Sequence, residues 1–208
     1  MNTRQDKKQF NRDPEATRGR ILDAALSVFS RKGYHDASVD DIVAESHTSK
    51  GSVYFHFPNK QELFLALVDK FANLIERRVE EAISVEQIGI RRVSAALQAV
   101  LETFGRYRPL AKILLVQAVG LGSLFEEKRM EVNARFAGLI KTYLDQAVAV
   151  GDIAPIDTTL VSTAWMGAIY EVVIRWVYTG EPSQQQIMQT LCPLLLKSVG
   201  FEETRKTG

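Results

Sequence analysis

The sequence predicts an all-helical protein, with a small N-terminal domain joined by a long helix to a larger C-terminal domain. Apolar residues recur at helical spacing along most of the chain, and no stretch alternates as a half-buried strand would. In the N-terminal part the recurring positions are Ile21, Leu22, Ala25, Val28 and Phe29. Five of the six prolines fall where such a pattern stops. They are Pro14, Pro58, Pro109, Pro155 and Pro182.

The composition is that of an ordinary globular protein. Of the 208 residues, 46% are hydrophobic and 25% are charged, and no run approaches the roughly 20 apolar residues that a membrane span requires. The polar N-terminus is unlike a signal peptide, and the single cysteine, Cys192, excludes an internal disulfide. We therefore expect a cytoplasmic protein without a membrane partner. The net charge of +1 is too small to indicate nucleic-acid binding by itself.

The first two helices are predicted from their capping residues. The segment Asp13-Pro14-Glu15 is typical of a helix start, and Gly33 is expected to close the helix that begins there. Ser38 and Asp41 have the spacing of a capping box. This predicts a second helix from Val39 to about Ser46.

A tight turn and two further helices follow. The turn His47-Thr48-Ser49-Lys50 leads into a short third helix over residues 51–57. Pro58 ends this helix because the residue before a proline avoids helical backbone angles. Asn59 and Glu62 are spaced as a second capping box, which opens a long fourth helix. Two short helices joined by a tight turn indicate a helix-turn-helix unit, here at about residues 40–59.

The third helix is predicted to have an outward face suited to DNA. Val53 and Phe57 are four residues apart, so they should pack inward together. The residues left for the other face are Lys50, Gly51, Ser52, Tyr54, Phe55 and His56. Hydroxyl and imidazole groups can donate to phosphates, and a lysine can reach a guanine edge in the major groove. The alternative is that these aromatic residues only form the shell of a small helical core.

The segment from Thr17 to about Arg77 resembles the DNA-binding domain of the TetR family of transcriptional regulators. The resemblance is carried by the string ILDAALSVFSRKGYHDASVDDIVAESHTSKGSVYFHFPNKQELF, which begins at Ile21. It implies contacts with DNA phosphates from Ser38, Val39, Thr48, Ser49, Tyr54, Phe55, His56 and Lys60. It implies contacts with bases from Lys50, Gly51 and Ser52, with Tyr54 able to contribute to both kinds of contact. The chain departs from the family at His47, where glycine is usual, and at Thr48, where a small apolar residue is usual.

The rest of the chain is expected to form one larger domain. The predicted boundaries are a polar arm at 1–16, the DNA-binding domain at 17–77, the second domain at 78–202 and a polar tail at 203–208. Later helices are predicted near residues 89–105, 109–119, 124–150, 157–179 and 184–199. Pro193 lies inside the last of them and removes the hydrogen bond to the carbonyl of Gln189. We therefore expect a kink or a local break there.

The second domain resembles the family in layout only. In that family the last two long helices form the dimer interface and the middle helices enclose a small ligand. Candidate pocket residues here are Phe104, Tyr107, Lys112, Leu114, Gln117, Trp165, Tyr170, Glu171, Arg175 and Trp176. For each of them, a place in the ordinary core is the alternative. Glu171 and Arg175 are four residues apart, so they should form an ion pair within the helix or across the dimer, unless one of them meets a polar ligand group.

These observations predict a ligand-responsive transcriptional regulator, most simply a repressor that binds a palindromic DNA operator as a homodimer. The effector is expected to be a small apolar or amphipathic molecule, because the second domain is rich in aromatic and aliphatic residues. We expect no cofactor, no catalytic residue and no metal, since His35, His47 and His56 have no partner at metal-ligand spacing. The alternatives are a ligand-independent or architectural DNA-binding protein and a small helical enzyme.

Overall fold

The computed structural model describes residues 13–85, 89–117 and 122–201. Within these ranges every regular element is helical, so the predicted all-helical fold class is confirmed. The helices are α1 (Pro14–Asp36), α2 (Val39–Ser46), α3 (Lys50–His56), α4 (Lys60–Ser84), α5 (Gly89–Arg106), α6 (Arg108–Lys112), α7 (Ser123–Ala149), α8 (Thr158–Thr179) and α9 (Gln184–Ser198). Most of the predicted arm and the whole of the predicted tail lie outside the described residues.

Packing divides the chain into two compact units, and the division falls inside a helix. The first unit ends at Leu67 and the second begins at Val68, so α4 contributes residues to both. The predicted domain boundary at residue 77 lies further along this same helix.

Helix α1 begins and is interrupted where its capping residues predict. Asp13 accepts a hydrogen bond of 3.0 Å from the N–H of Glu15, and Pro14 occupies the first helical position. Gly33 has a positive φ of 78°, which interrupts the helix at its expected end. Helical structure then resumes as far as Asp36.

The core of the first unit combines residues of all four helices that contribute to it. The side chains of Ile21, Ala25, Val28, Phe29, Ile42, Val53, Leu63 and Phe64 are almost completely buried. The rings of Phe29 and Phe64 meet edge to face with their centroids 5.5 Å apart, an arrangement that aromatic pairs favour. This core holds α2 and α3 on the longer helices.

Both halves of the capping box predicted for α2 are present. The N–H of Asp41 donates to Ser38 Oγ at 3.1 Å, and the N–H of Ser38 donates to Asp41 Oδ2 at 3.0 Å. At the other end of the helix His47 has left-handed backbone angles, with φ 52° and ψ 37°. The turn thus keeps its geometry with histidine where the family usually has glycine, because histidine tolerates a positive φ better than most residues.

Helix α3 begins at Lys50, one residue earlier than predicted. The side chain of Ser49 explains the earlier start, because its Oγ accepts a bond of 3.1 Å from the N–H of Ser52. The helix ends at His56, and Phe57 has extended backbone angles before Pro58, as predicted.

The second unit is a helical assembly in which α7 packs along α8 and α5 packs on α9. The predicted helix near residues 109–119 is divided. It consists of α6 followed by a π-helical turn at Ile113–Gln117, and residues 118–121 lie outside the described part. Helix α8 buries Trp165, Val173, Trp176 and Val177 within the unit.

Of the kink or local break expected at Pro193, the break is absent, and the kink stays a prediction. Helix α9 continues from Gln184 to Ser198 with the proline inside it. Pro193 is exposed, whereas Cys192 and Leu195 on either side of it are buried. Burial of the turns on both sides holds the helix together although one backbone hydrogen bond is lost.

Candidate nucleic-acid interface

Helix α3 has a buried side and a strongly exposed side. Val53 and the capping residue Phe57 are buried in the first unit, as their spacing predicts. On the opposite side the relative exposure is 42% for Tyr54 and 80% for Phe55. Large aromatic side chains exposed next to one another are unusual on a protein surface and indicate a binding face.

Other predicted DNA contacts lie on this exposed side or at its edge. Lys50 and Gly51 are exposed, and Ser52 and His56 are half-buried. A Cβ added at Gly51 would meet no atom within 4 Å. Packing within the protein therefore does not require the glycine, which leaves room for an outside surface to approach the backbone.

The hydroxyl groups around α3 also take part in the local structure. Ser38 and Ser49 accept bonds from backbone N–H groups at the starts of α2 and α3, so each retains its own proton for donation. The hydroxyl of Thr48 is 2.7 Å from that of Ser46, which in turn donates to the carbonyl of Val43. Thr48 stands where the family usually has a small apolar residue, and its hydroxyl therefore has a hydrogen-bond partner, Ser46, within the protein. Val39 is half-buried and can reach a phosphate only through its backbone.

Lys50 is paired with an acidic residue of α2. Its Nζ atom is 2.7 Å from Asp40 Oδ1, and the two side chains are 58% and 69% exposed. The hydrogen bond with Asp40 raises the pKa of Lys50. The residue predicted to read a base is therefore charged and paired with Asp40 in the free protein.

Lys60 is held by the backbone at the end of α1. Its Nζ atom donates to the carbonyls of Tyr34 at 2.9 Å, His35 at 3.2 Å and Ala37 at 3.0 Å. It also lies 4.5 Å from the centre of the Tyr34 ring. A lysine has three protons to donate, and these three carbonyls accept all of them. This arrangement gives Lys60 a structural role, so its contact with phosphate stays a prediction.

Residues 21–67 match the family model described as bacterial regulatory proteins, tetR family. These residues are a tetR-family DNA-binding domain, and the chain is a transcriptional regulator. The match covers α2, α3 and most of α1, and it ends where the first unit of the structure ends. The helix-turn-helix predicted from the capping residues is therefore the DNA-binding element of the regulator.

Relatives of this regulator align beyond the DNA-binding unit. It is 28% identical over 179 residues to the HTH-type transcriptional regulator SrpR of Pseudomonas putida, covering 86% of this chain and 82% of that protein. It is 29% identical over 140 residues to an HTH-type transcriptional repressor of Streptomyces coelicolor, covering 66% and 69%. The solved structure of FadR from Bacillus subtilis in complex with stearoyl-CoA has a TM-score of 0.75 and 22% identity, covering 87% of this chain and 98% of that one. This last likeness shows a shared fold.

In the second unit of the regulator, three predicted pocket residues are buried. Phe104 meets the ring of Phe71 edge to face at 5.3 Å. Trp165 donates its indole N–H to Ser198 Oγ at 2.9 Å, and Trp176 packs against the backbone of α5. These contacts support the alternative that the three rings belong to the core.

Further candidates lie nearer the surface. Tyr107 and Leu114 are half-buried, and the side chain of Gln117 lies outside the described residues. Lys112 is exposed, with its ammonium group 5.2 Å from the centre of the Tyr178 ring. Lys112 lies between apolar residues in the sequence, and its charged group is in solvent beside the Tyr178 ring.

Glu171 and Arg175 are both exposed, and no ion pair joins them in the described part of the regulator. The predicted pair within the helix is therefore not formed in this structure. An ion pair across a dimer and a contact with a ligand both stay predictions. No group of three or more His, Cys, Asp or Glu side chains could hold a metal ion among the described residues.

A polar group lies beside Tyr170 that the sequence did not predict. The guanidinium of Arg129, on α7, lies 6.0 Å from the centre of the Tyr170 ring and donates to Glu126 Oε2 at 2.9 and 2.6 Å. Burial raises the pKa of Tyr170, and the charge of Arg129 opposes this rise. Both side chains are half-buried. Because Glu126 already pairs with the guanidinium, what the two can offer an acidic group is hydrogen bonds, from the remaining Nη protons of Arg129 and from the Tyr170 hydroxyl. The only available signal was the spacing of Glu126 and Arg129 on one helix.

Proposed function

We propose that this regulator is a repressor that binds a palindromic operator as a homodimer and leaves it when a small apolar or amphipathic effector binds the second unit. The observation that carries the proposal is the outward face of α3, where Tyr54 and Phe55 are exposed beside Lys50. A repressor role is favoured by the likeness to the Streptomyces coelicolor repressor. The protein then acts by binding and not by catalysis.

The exposed residues divide by what their chemistry can contact on DNA. Tyr54, His56, Ser38 and Ser49 carry groups that can donate to phosphate oxygens, and their contacts position the helix without reading sequence. Phe55 has no hydrogen-bonding group on its side chain. Only its backbone can bond a phosphate, while its ring suits the apolar parts of the groove such as a thymine methyl group.

Base reading is proposed for the first turn of α3. Lys50 can donate to the O6 and N7 atoms of guanine, and Ser52 can donate to or accept from a base edge. Gly51 lets the backbone come close. Thr48 and Lys60 have their polar groups engaged within the protein, so their contribution is expected to be to position the other groups.

The dimer is proposed to form through α8 and α9. By length and composition, helix α8 could cross a membrane. Only 28% of its most apolar 18-residue stretch is buried within one chain. Leu160 and Tyr178 on α8 and Leu194 on α9 are exposed. A second copy of the chain would cover these apolar side chains, which water solvates poorly. Burial of Trp165 and Trp176 by their own unit favours a dimer helix over a membrane span, and we propose that the protein is cytoplasmic.

The effector is proposed to be a long-chain acyl compound. FadR from Bacillus subtilis, which shares the fold, was solved with stearoyl-CoA. In this chain the second unit supplies aliphatic and aromatic side chains, and Arg129 with Tyr170 supplies a polar end for an acidic head group. Such a molecule matches the general pattern of pockets that are mostly apolar with a few placed polar groups.

The experiment is operator selection followed by release. Duplexes that bind the full chain are selected from a random pool, and gel shifts are then run on a selected duplex and on its scrambled version. Stearoyl-CoA, free stearate and benzoate are added in parallel, and each is also tested for a rise in melting temperature. We expect two protomers per selected duplex and release by stearoyl-CoA. Equal binding to the selected and scrambled duplexes would favour an architectural protein. If none of the three compounds released the DNA, the proposal of an acyl effector would be wrong.

A further inference from the structure

The three acidic residues of α2 have different partners. Asp41 accepts from Lys32 at 2.8 Å, and Glu45 accepts from Arg31 at 2.8 Å, so both bind basic residues of α1. Asp40 points the other way and bonds Lys50, the first residue of α3, at 2.7 Å. One acid is therefore placed on the residue that begins the base-reading turn.

The pair between Asp40 and Lys50 has no net charge but keeps donors. Lys50 has three protons on Nζ, of which one is used by Asp40 and two remain. A lysine is protonated at neutral pH, and hydrogen bonding to Asp40 raises the pKa of Lys50 further. Both side chains of the pair are exposed to solvent, so the pair is accessible to DNA.

We propose that Asp40 is a positioning residue that directs Lys50 to a base edge and away from phosphates, and so determines the sequence specificity of the regulator. The proposal rests on the base-reading role given to Lys50 above. Guanine presents two uncharged acceptors, O6 and N7, which match the two remaining protons. Phosphates attract net charge, and the pair has none to offer.

The expected consequence is weaker binding to DNA of arbitrary sequence and a stronger preference for the operator. Binding to DNA of any sequence comes mostly from cations that neutralise phosphates and release counterions. A lysine already neutralised by Asp40 adds little to this binding. On the operator the same lysine still makes its hydrogen bonds, because these depend on position and not on net charge.

The test compares three variants of the full chain on the selected duplex and on the scrambled duplex, over a series of salt concentrations. Asp40→Asn removes the charge but keeps the shape of the side chain. Asp40→Glu keeps the charge. Glu45→Gln is the matched control, since it also removes one carboxylate from α2 and frees one basic residue, Arg31, but leaves Lys50 in its pair.

We expect Asp40→Asn to bind the scrambled duplex about tenfold more tightly, with a dependence on log salt steeper by about 0.9 per protomer. Binding to the selected duplex should change less, so the ratio of the two affinities should fall. Asp40→Glu should keep that ratio, and so should Glu45→Gln. A repeated selection with Asp40→Asn should show weaker preference at the guanine position. Circular dichroism and the melting temperature check that each variant is folded, and Asp40→Ser serves as a second variant that retains a residue suited to the first turn of a helix.

The outcomes separate this inference from the proposed function. If the unmodified chain does not prefer its selected duplex, the proposed function fails. If it does, and Asp40→Asn leaves the affinity ratio and the salt dependence unchanged, the positioning role of Asp40 is overturned. An equal effect of Glu45→Gln would also overturn it, since it would show that net charge alone is responsible.

Discussion

Arg135 of α7 donates to Glu76 of α4 through Nη2 and Oε2, which are 2.6 Å apart. The same nitrogen donates to the side-chain oxygen of Asn73 at 2.7 Å, and Lys128 of α7 bonds Asp69 of α4 at 3.2 Å. These contacts tie the C-terminal part of α4 to α7, which itself packs along α8. Helix α4, which begins in the DNA-binding unit, is thus joined by polar contacts to α7. Helix α7 in turn packs against α8, one of the two proposed dimer helices.

We expect these contacts to carry the effect of the effector to the DNA. In the unmodified protein the dissociation constant of stearoyl-CoA should be larger with saturating operator than without it, by about 5- to 150-fold, because linkage between two sites is reciprocal. Arg135→Ala removes the contacts with Glu76 and Asn73 but keeps that of Lys128 with Asp69, so it should reduce this ratio while both ligands still bind. Isothermal titration with and without the selected duplex measures it.

The control for that variant is Lys141→Ala. Lys141 also lies on α7, but its partner Asp145 is on the same helix, so no second helix is released. This variant should keep the ratio. Equal dissociation constants with and without operator in the unmodified protein would exclude effector-driven release, whatever the variants do.

Lys60→Met should lower the stability of the protein. The change removes the donor for three carbonyls at the end of α1, each a charged hydrogen bond, and we expect a loss of about 2 kcal/mol in the free energy of unfolding. Denaturant titration of the full chain measures it. Tyr54→Phe, which removes an exposed hydroxyl, should leave stability unchanged. If Lys60→Met unfolded normally but bound every DNA sequence more weakly, the phosphate role implied by the family resemblance would be the correct one.

Lys50→Ala and Tyr54→Ala should affect DNA binding in different ways. Loss of the lysine should relax preference at one or two base positions, at a cost of roughly 1–3 kcal/mol on the operator. Loss of the tyrosine should weaken binding to all sequences alike, because phosphates carry no sequence information. Competition gel shifts with single-base operator variants distinguish the two. Unchanged base preferences in Lys50→Ala would refute its role as a reader.

Leu194→Glu should prevent dimer formation. The side chain is exposed on α9, and a charge there would be buried without a partner in the proposed interface. Sedimentation at micromolar concentration should show a monomer that binds the operator poorly. Met130→Glu, at an equally exposed apolar residue of α7, is the matched control and should stay dimeric. A monomeric unmodified protein, free and on its operator, would contradict the proposed assembly.

Asp41 should make the DNA-binding unit sensitive to acid. Its hydrogen bond with Lys32, followed by those with Ser38, holds the pKa of Asp41 well below its ordinary value of 3.8. Because the pKa is lower in the folded than in the unfolded protein, the charged carboxylate stabilises the fold above pH 3.8. This contribution is lost as the pH falls from there towards the folded-state pKa. The difference in melting temperature between the unmodified protein and Asp41→Asn should therefore be widest near neutral pH and narrow below about pH 4. A difference that is constant from pH 7 to pH 3 would show that the charge of Asp41 is not responsible.

Local features of the sequence determined where most helices begin and end. The cap at Asp13, the box of Ser38 and Asp41, the positive φ at Gly33 and the stop before Pro58 are all found as predicted. Each depends on groups within about four residues of one another, so a short stretch of sequence contains all the partners. The face of α3 could be predicted for the same reason, because helical periodicity alone places Val53 opposite Phe55.

Only the tertiary structure decided which distant partners the polar side chains have. Lys60 meets carbonyls 23 to 26 residues away, and Arg135 meets Glu76 59 residues away. Lys50 finds Asp40 across a turn. Pro193 stays inside a continuous helix because the packed residues around it outweigh one lost hydrogen bond. These contacts depend on how helices lie side by side, and a pattern of spacing along one helix contains no information about its neighbour.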